Sequence, residues 1–87
     1  MNSVFPILHL YTRKTCCLCE DMERDVLELL TAYTFDLVIH DIDSQADWLQ
    51  RYDTLVPVLS IEKAQQEQEI CHYFLDLEAA KTALQSS

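Results

Sequence analysis

The chain has no glycine among its 87 residues. At the average usage of about 7%, roughly six would be expected. Glycine is the residue that takes positive φ freely, so every tight turn here must be made without it. Long apolar runs are also missing. None approaches the length of about 18 residues that a membrane-spanning helix needs. Basic residues are scarce, six against 15 acidic ones, and the net charge of −9 argues against nucleic acid and anionic membrane surfaces as partners. The opening Met1-Asn2-Ser3-Val4-Phe5-Pro6 has neither the basic flank nor the apolar core of a signal peptide, so a cytoplasmic protein is expected.

What remains is the composition of a soluble globular domain, 49% hydrophobic and 24% charged. The length suits one domain, residues 1–87, with a modest core. There are four cysteines. In a reducing compartment they read as reactive or metal-binding thiols, not as a disulfide framework. Two form a Cys-x-x-Cys, Cys16 to Cys19, between the apolar run Ile7–Tyr11 and a helical pattern through Met22, Val26, Leu29, Leu30 and Tyr33. That spacing puts the two sulfurs within disulfide reach in the first helical turn. It also sets Cys16 at a helix N-terminus, where the dipole and the free N–H groups stabilise a thiolate. Arg13 and Lys14, two of the few cations, immediately precede the pair and offer a basic spot to an anionic substrate.

In chain order, strand one is expected over Ile7–Thr12 and helix one from Cys16 to Ala32, with Thr15 as N-cap and a Glu20–Arg24 pair on its wet side. Strand two follows over Thr34–Asp41, with Phe35, Leu37 and Ile39 on one face and Val38 buried on the other. Ser44-Gln45-Ala46-Asp47 resembles a capping box and opens a short helix with Trp48, Leu49 and Tyr52 inward and Asp47 placed to pair with Arg51. Strand three is Pro57–Ile61. The polar Glu62–Gln68 reads as a hairpin connection to strand four, Glu69–Tyr73. Asp76 caps a last helix, Leu77–Leu84, that turns Leu77, Ala80 and Leu84 inward. The order β-α-β-α-β-β-α implies an α/β fold with a four-stranded mixed sheet and helices on both faces.

These residues resemble the glutaredoxin branch of the thioredoxin-fold proteins, and more closely a group of small bacterial glutaredoxin-like proteins. The resemblance rests on Leu10-Tyr11-Thr12 leading into Cys16-Cys17-Leu18-Cys19, on Leu55-Val56-Pro57-Val58-Leu59, on Glu20-Asp21-Met22 after the second thiol, and on the closing Cys71-His72-Tyr73-Phe74-Leu75-Asp76. It covers nearly the whole chain. It implies a thioredoxin-like fold and a thiol–disulfide oxidoreductase in cell redox homeostasis. Cys16 would be the nucleophile, Cys19 the resolving thiol, and Pro57 a cis-proline facing the sulfurs. Val56 would present backbone N–H and C=O to a bound peptide or to glutathione, as an added strand would. Two features depart from the family. Leu18 stands where an aromatic residue is usual, and the Gly-Gly before the last helix has no counterpart. Asp76 could still meet an amine of glutathione, but the approach is less open.

The implied partners are protein disulfides or glutathione mixed disulfides and a reductase system. No resident cofactor or metal is expected, glutathione is a candidate co-substrate, and a monomer is expected. Cys17, between the active pair, reads as a spectator and Cys71 as a small buried hydrophobe. His9 and His40 lie in strands and read as structural histidines. Three other readings compete. Zinc could be held by Cys16, Cys17 and Cys19 with a fourth ligand from a histidine or Cys71. An iron–sulfur cluster could be bridged between two copies. The domain could also be a docking module without turnover.

Overall fold

The computed structural model describes residues 5–85. Along the chain run β1 (Ile7–Thr12), α1 (Cys17–Leu29), β2 (Asp36–Asp41), a single 3-10 turn (Ile42–Ser44), α2 (Ala46–Tyr52), β3 (Val58–Lys63), β4 (Gln66–His72) and α3 (Leu77–Gln85). The strands form one sheet in the order β2-β1-β3-β4. β1 is parallel to β2 and antiparallel to β3, and β3 is antiparallel to β4. This is the mixed four-stranded, helix-flanked fold that the element order implied.

The period-2 alternation of β1 sorts the two faces. Leu8 and Leu10, both 0% exposed, point to one side. There they meet Met22 and Val26 of α1, Leu59 and Ile61 of β3, and Ala80 of α3. Each of the large aliphatic side chains removed from water here contributes about 1.5–3 kcal/mol. Tyr11 points to the other side and packs with Ile42, Tyr52 and Val58, flanked by Trp48 and Leu49 of α2.

Several boundaries differ from expectation. Thr15 does not cap α1. Cys16 does, its Sγ accepting from the backbone N–H of Cys19 at 3.1 Å. Helix α1 ends at Leu29, so Leu30 is left exposed. Arg24 pairs with Asp21 at 3.2 Å instead of Glu20. The capping chemistry expected of Ser44 serves the 3-10 turn. Ser44 Oγ donates to the Asp41 carbonyl, and the Asp41 carboxylate accepts from the Asp43 N–H. Gln45 then starts α2 with no side-chain cap bond, and Arg51 lies over the Tyr52 ring. Strand β2 is a sheet edge, so Val38 and Ile39 stand in the open at 39% and 46% exposure. In α3, Asp76 accepts from the Ala79 N–H as its cap and Ala80 is buried, but Leu77 is exposed.

The largest difference is at Glu62–Gln68. It is not a loop. β3 runs on to Lys63, β4 begins at Gln66, and Ala64-Gln65 alone make the turn. Both take positive φ, 52° and 67°. That is the backbone of the two-residue hairpin turn whose twist matches the strands, and it favours Asn-Gly. Holding an ordinary L-residue there costs about 1–2 kcal/mol. β4 lacks an apolar period because it is the other sheet edge, and its Glu67 side chain accepts from Tyr11 and Ser60 across the sheet.

Candidate functional site

Cys16 and Cys19 are joined in a disulfide with Cα atoms 5.2 Å apart. The turn from β1 into α1 presents them. Cys16 has extended backbone as N-cap, half exposed, while Cys19 lies one turn in on the buried stripe at 3% exposure. The Cys19 N–H that points at Cys16 Sγ is one of the orphan donors of the helix start. In the reduced protein such a donor stabilises a thiolate at Cys16.

The peptide bond Val56-Pro57 is cis, as the resemblance implied. Pro57 is buried, and its carbonyl accepts from the Tyr73 N–H at 2.9 Å. Val56 N–H donates to the Tyr52 carbonyl at 3.1 Å, so this donor is already used inside the chain. Tyr73 itself has φ of 66°, its hydroxyl donates to the Thr54 carbonyl at 2.7 Å, and the next residue, Phe74, is 68% exposed. A tyrosine thus takes the positive φ that this chain cannot give to glycine.

Arg13 and Lys14 part company. Arg13 is bound to Asp43 by two nitrogens, at 2.9 and 3.3 Å, and to Asp53 at 3.0 Å. Its guanidinium therefore ties β1 to the 3-10 turn and to the end of α2. Lys14 is exposed beside the pair, and Leu18 is half buried. Asp76 sits at the start of α3, engaged with the Ala79 N–H.

Cys17 is free and exposed, whereas Cys71 is free and buried. Burial pushes the Cys71 thiol up, partly offset by a hydrogen bond from the Asp76 backbone. Cys71 thus packs as the small apolar group expected of it.

One group of side chains escaped the sequence reading. His9, His40, Tyr11, Ser60, Glu62 and Glu67 converge on the α2 face of the sheet. His9 Nδ1 lies 2.8 Å from His40 Nε2, and His9 Nε2 lies 2.7 Å from Glu62 Oε1. Tyr11 and Ser60 both donate to Glu67 Oε2. Burial, then Glu67, pushes the Tyr11 hydroxyl far up. Burial pushes the Glu67 carboxyl up, but the bonds from Ser60 and Tyr11 outweigh it and the net shift is down. A hairpin connection spanning residues 62–68, as expected from the sequence, leaves out the register that brings Glu62 and Glu67 face to face.

The model of the family described as Glutaredoxin-like domain (DUF836) matches residues 7–85. The chain belongs to this glutaredoxin-like family. A solution structure of protein Ne2328 from Nitrosomonas europaea is 34% identical, with a TM-score of 0.81 over 97% of this chain and 98% of that one. Protein XcR50 from X. campestris is 29% identical, with a TM-score of 0.60 over 92% and 97% of the two chains. Oxidised mitochondrial thioredoxin 3 from Saccharomyces cerevisiae shares the fold at 19% identity, with a TM-score of 0.73 over 94% of this chain and 78% of that one. No curated protein matches. A glutaredoxin-like thioredoxin fold with a Cys16–Cys19 pair at disulfide distance supports a redox role. No helix among the described residues is long and apolar enough to cross a membrane.

Proposed function

We propose that this glutaredoxin-like protein is a thiol–disulfide oxidoreductase of cell redox homeostasis in the cytoplasm, acting as a monomer. The observation that carries the reading is the asymmetry of the pair: Cys16 is half exposed and faces a helix-start N–H, while Cys19 is buried behind it. In the reduced protein the Cys16 thiolate attacks a substrate disulfide. A Cys16–substrate mixed disulfide forms, and one substrate thiolate leaves and takes a proton. The Cys19 thiolate then attacks Cys16 Sγ, closing the Cys16–Cys19 disulfide and releasing the second substrate thiol. Two electrons and two protons pass to the substrate. A dithiol reductase or two glutathione molecules return them.

Val56 and Pro57 are the backbone a bound disulfide segment would run along, with the Val56 carbonyl as acceptor, since its N–H is used by Tyr52. Leu18 and Lys14 border the thiols, and Asp76 is the candidate contact for an amine. Arg13 acts by holding the loop, given its two carboxylate partners. Tyr73, at positive φ just before α3, makes the approach to that helix start less open than a glycine would, which favours protein disulfides over glutathione mixed disulfides.

The test is turnover of a protein disulfide with a reductant, together with intact mass, for three variants. Cys16→Ser should abolish exchange. Cys19→Ser should accumulate the mixed disulfide and keep only weak activity on glutathione mixed disulfides, where free glutathione can resolve. Cys17→Ser should change little. Wild-type turnover in Cys16→Ser would remove Cys16 as nucleophile. A folded wild type that reduces no disulfide would leave the docking-module reading in its place.

A further inference from the structure

The polar cluster on the α2 face is not used by the thiol chemistry. We propose that His9, Glu62 and Glu67 form a binding site for a divalent transition ion of the zinc type, with His40 as the residue that orients His9. The inference is independent of the redox reading.

Four observations carry it. First, one ligand atom from each of the three residues lies within 4.8 Å of the other two. Zinc bonds of about 2.0–2.2 Å in a tetrahedral shell put neighbouring donors about 3.3 Å apart, so small side-chain movements suffice. His9 Nε2 and Glu62 Oε1, at 2.7 Å, need only separate slightly to admit the ion.

Second, Glu62 and Glu67 are direct partners in the β3–β4 register. Like charges directly opposite each other destabilise a sheet. A single imidazole beside two carboxylates leaves the group with excess negative charge, which a dication neutralises. One nitrogen with two carboxylate oxygens is a donor set that suits zinc and its neighbours.

Third, the supporting contacts are in place. His40 Nε2 stands 2.8 Å from His9 Nδ1, the nitrogen turned away from the site. With the ion on His9 Nε2, the His9 proton sits on Nδ1 and is donated to His40. Tyr11 and Ser60 donate to Glu67 Oε2 and hold that carboxylate in one orientation. Partners of this kind fix ligand geometry in metal sites.

Fourth, the site can be entered. The His9 and Glu62 side chains keep 13% and 33% of their exposure, and Glu67 is exposed. Three protein ligands leave a fourth position for water, the arrangement of an open site. The histidines that the sequence presented as separate structural residues are therefore one half of this site.

The experiment is a calorimetric titration of zinc chloride into the Cys17→Ser protein with the Cys16–Cys19 disulfide formed, which keeps the reactive thiols from competing. One ion per chain should bind. Glu62→Gln and Glu67→Gln should each weaken binding by about 100-fold or more, and His40→Asn by about 10–100-fold. His9 imidazole signals in the NMR spectrum should move with the bound fraction. His9→Ala is the direct ligand deletion, and the isosteric Glu62→Gln on the solvent side decides the matter if that variant fails to fold. Absence of binding at millimolar zinc would overturn the proposal. So would binding left unchanged by Glu62→Gln, or binding that leaves the His9 signals in place.

Discussion

Behind α1 and α3 the sheet is closed by Leu8, Leu10, Met22, Val26 and Leu59, packed so that almost nothing of them reaches water. Behind α2 the same strands carry Tyr11 and Val58 at one end, but His9, Ser60, Glu62 and Glu67 toward the hairpin turn. The first face is held by apolar area, which is non-directional and tolerates many sequences of suitable volume. The second depends on a chain of donors and acceptors in which each group needs its neighbour. Polar groups are affordable there because α2 is only seven residues long and leaves part of the sheet uncovered.

The contrast predicts different responses to damage. Leu10→Ala empties part of the dry face and should cost about 2–5 kcal/mol in denaturant unfolding. A loss under 1 kcal/mol would mean that the first face is far looser than its burial indicates. On the polar face, Tyr11→Phe and Ser60→Ala should each cost about 0.5–1.5 kcal/mol. Both donate to one carboxylate oxygen, so the double variant should depart from the sum of the singles. Strict additivity would show that Glu67 does not couple them.

The turn that joins β3 to β4 offers a change of opposite sign. Gln65→Gly relieves a positive φ and should stabilise by about 1 kcal/mol, read as a higher denaturation midpoint at unchanged slope. Destabilisation would mean that the Gln65 side chain has a role beyond its backbone.

The smallest effect is a pH dependence shared by both faces. Burial raises the pKa of Cys71 on one face, and of Tyr11 and Tyr52 on the other. Each is an acid that loses its proton later in the folded chain than in the unfolded one. Above the ordinary thiol value of 9.0 the folded state therefore holds more protons, and stability falls as pH rises. Unfolding midpoints measured in alkaline buffers should decline, and Tyr11→Phe should flatten the decline above the ordinary phenol value of 10.0. A flat profile would contradict the burial of these groups. Cys71 should also react with alkylating reagent far more slowly than the exposed Cys17.

The amino-acid sequence by itself determined the order of elements, the dry face and the thiol pair. Alternating Leu8 and Leu10, the spacing of Met22, Val26 and Leu29, and Cys16 at a strand-to-helix turn are local patterns, and local periodicity is what a linear sequence records. The cap at Cys16 instead of Thr15, the exposed Val38 and Ile39 of an edge strand, and the strands running through Glu62–Gln68 were decided only by tertiary structure. So was the meeting of His9, His40, Glu62 and Glu67. A polar residue on a sheet is stable only if its partner arrives from a distant strand, and here His9 and Glu62 lie 53 positions apart. No window along the chain contains both, so that site is visible only once the register of four strands has brought them together.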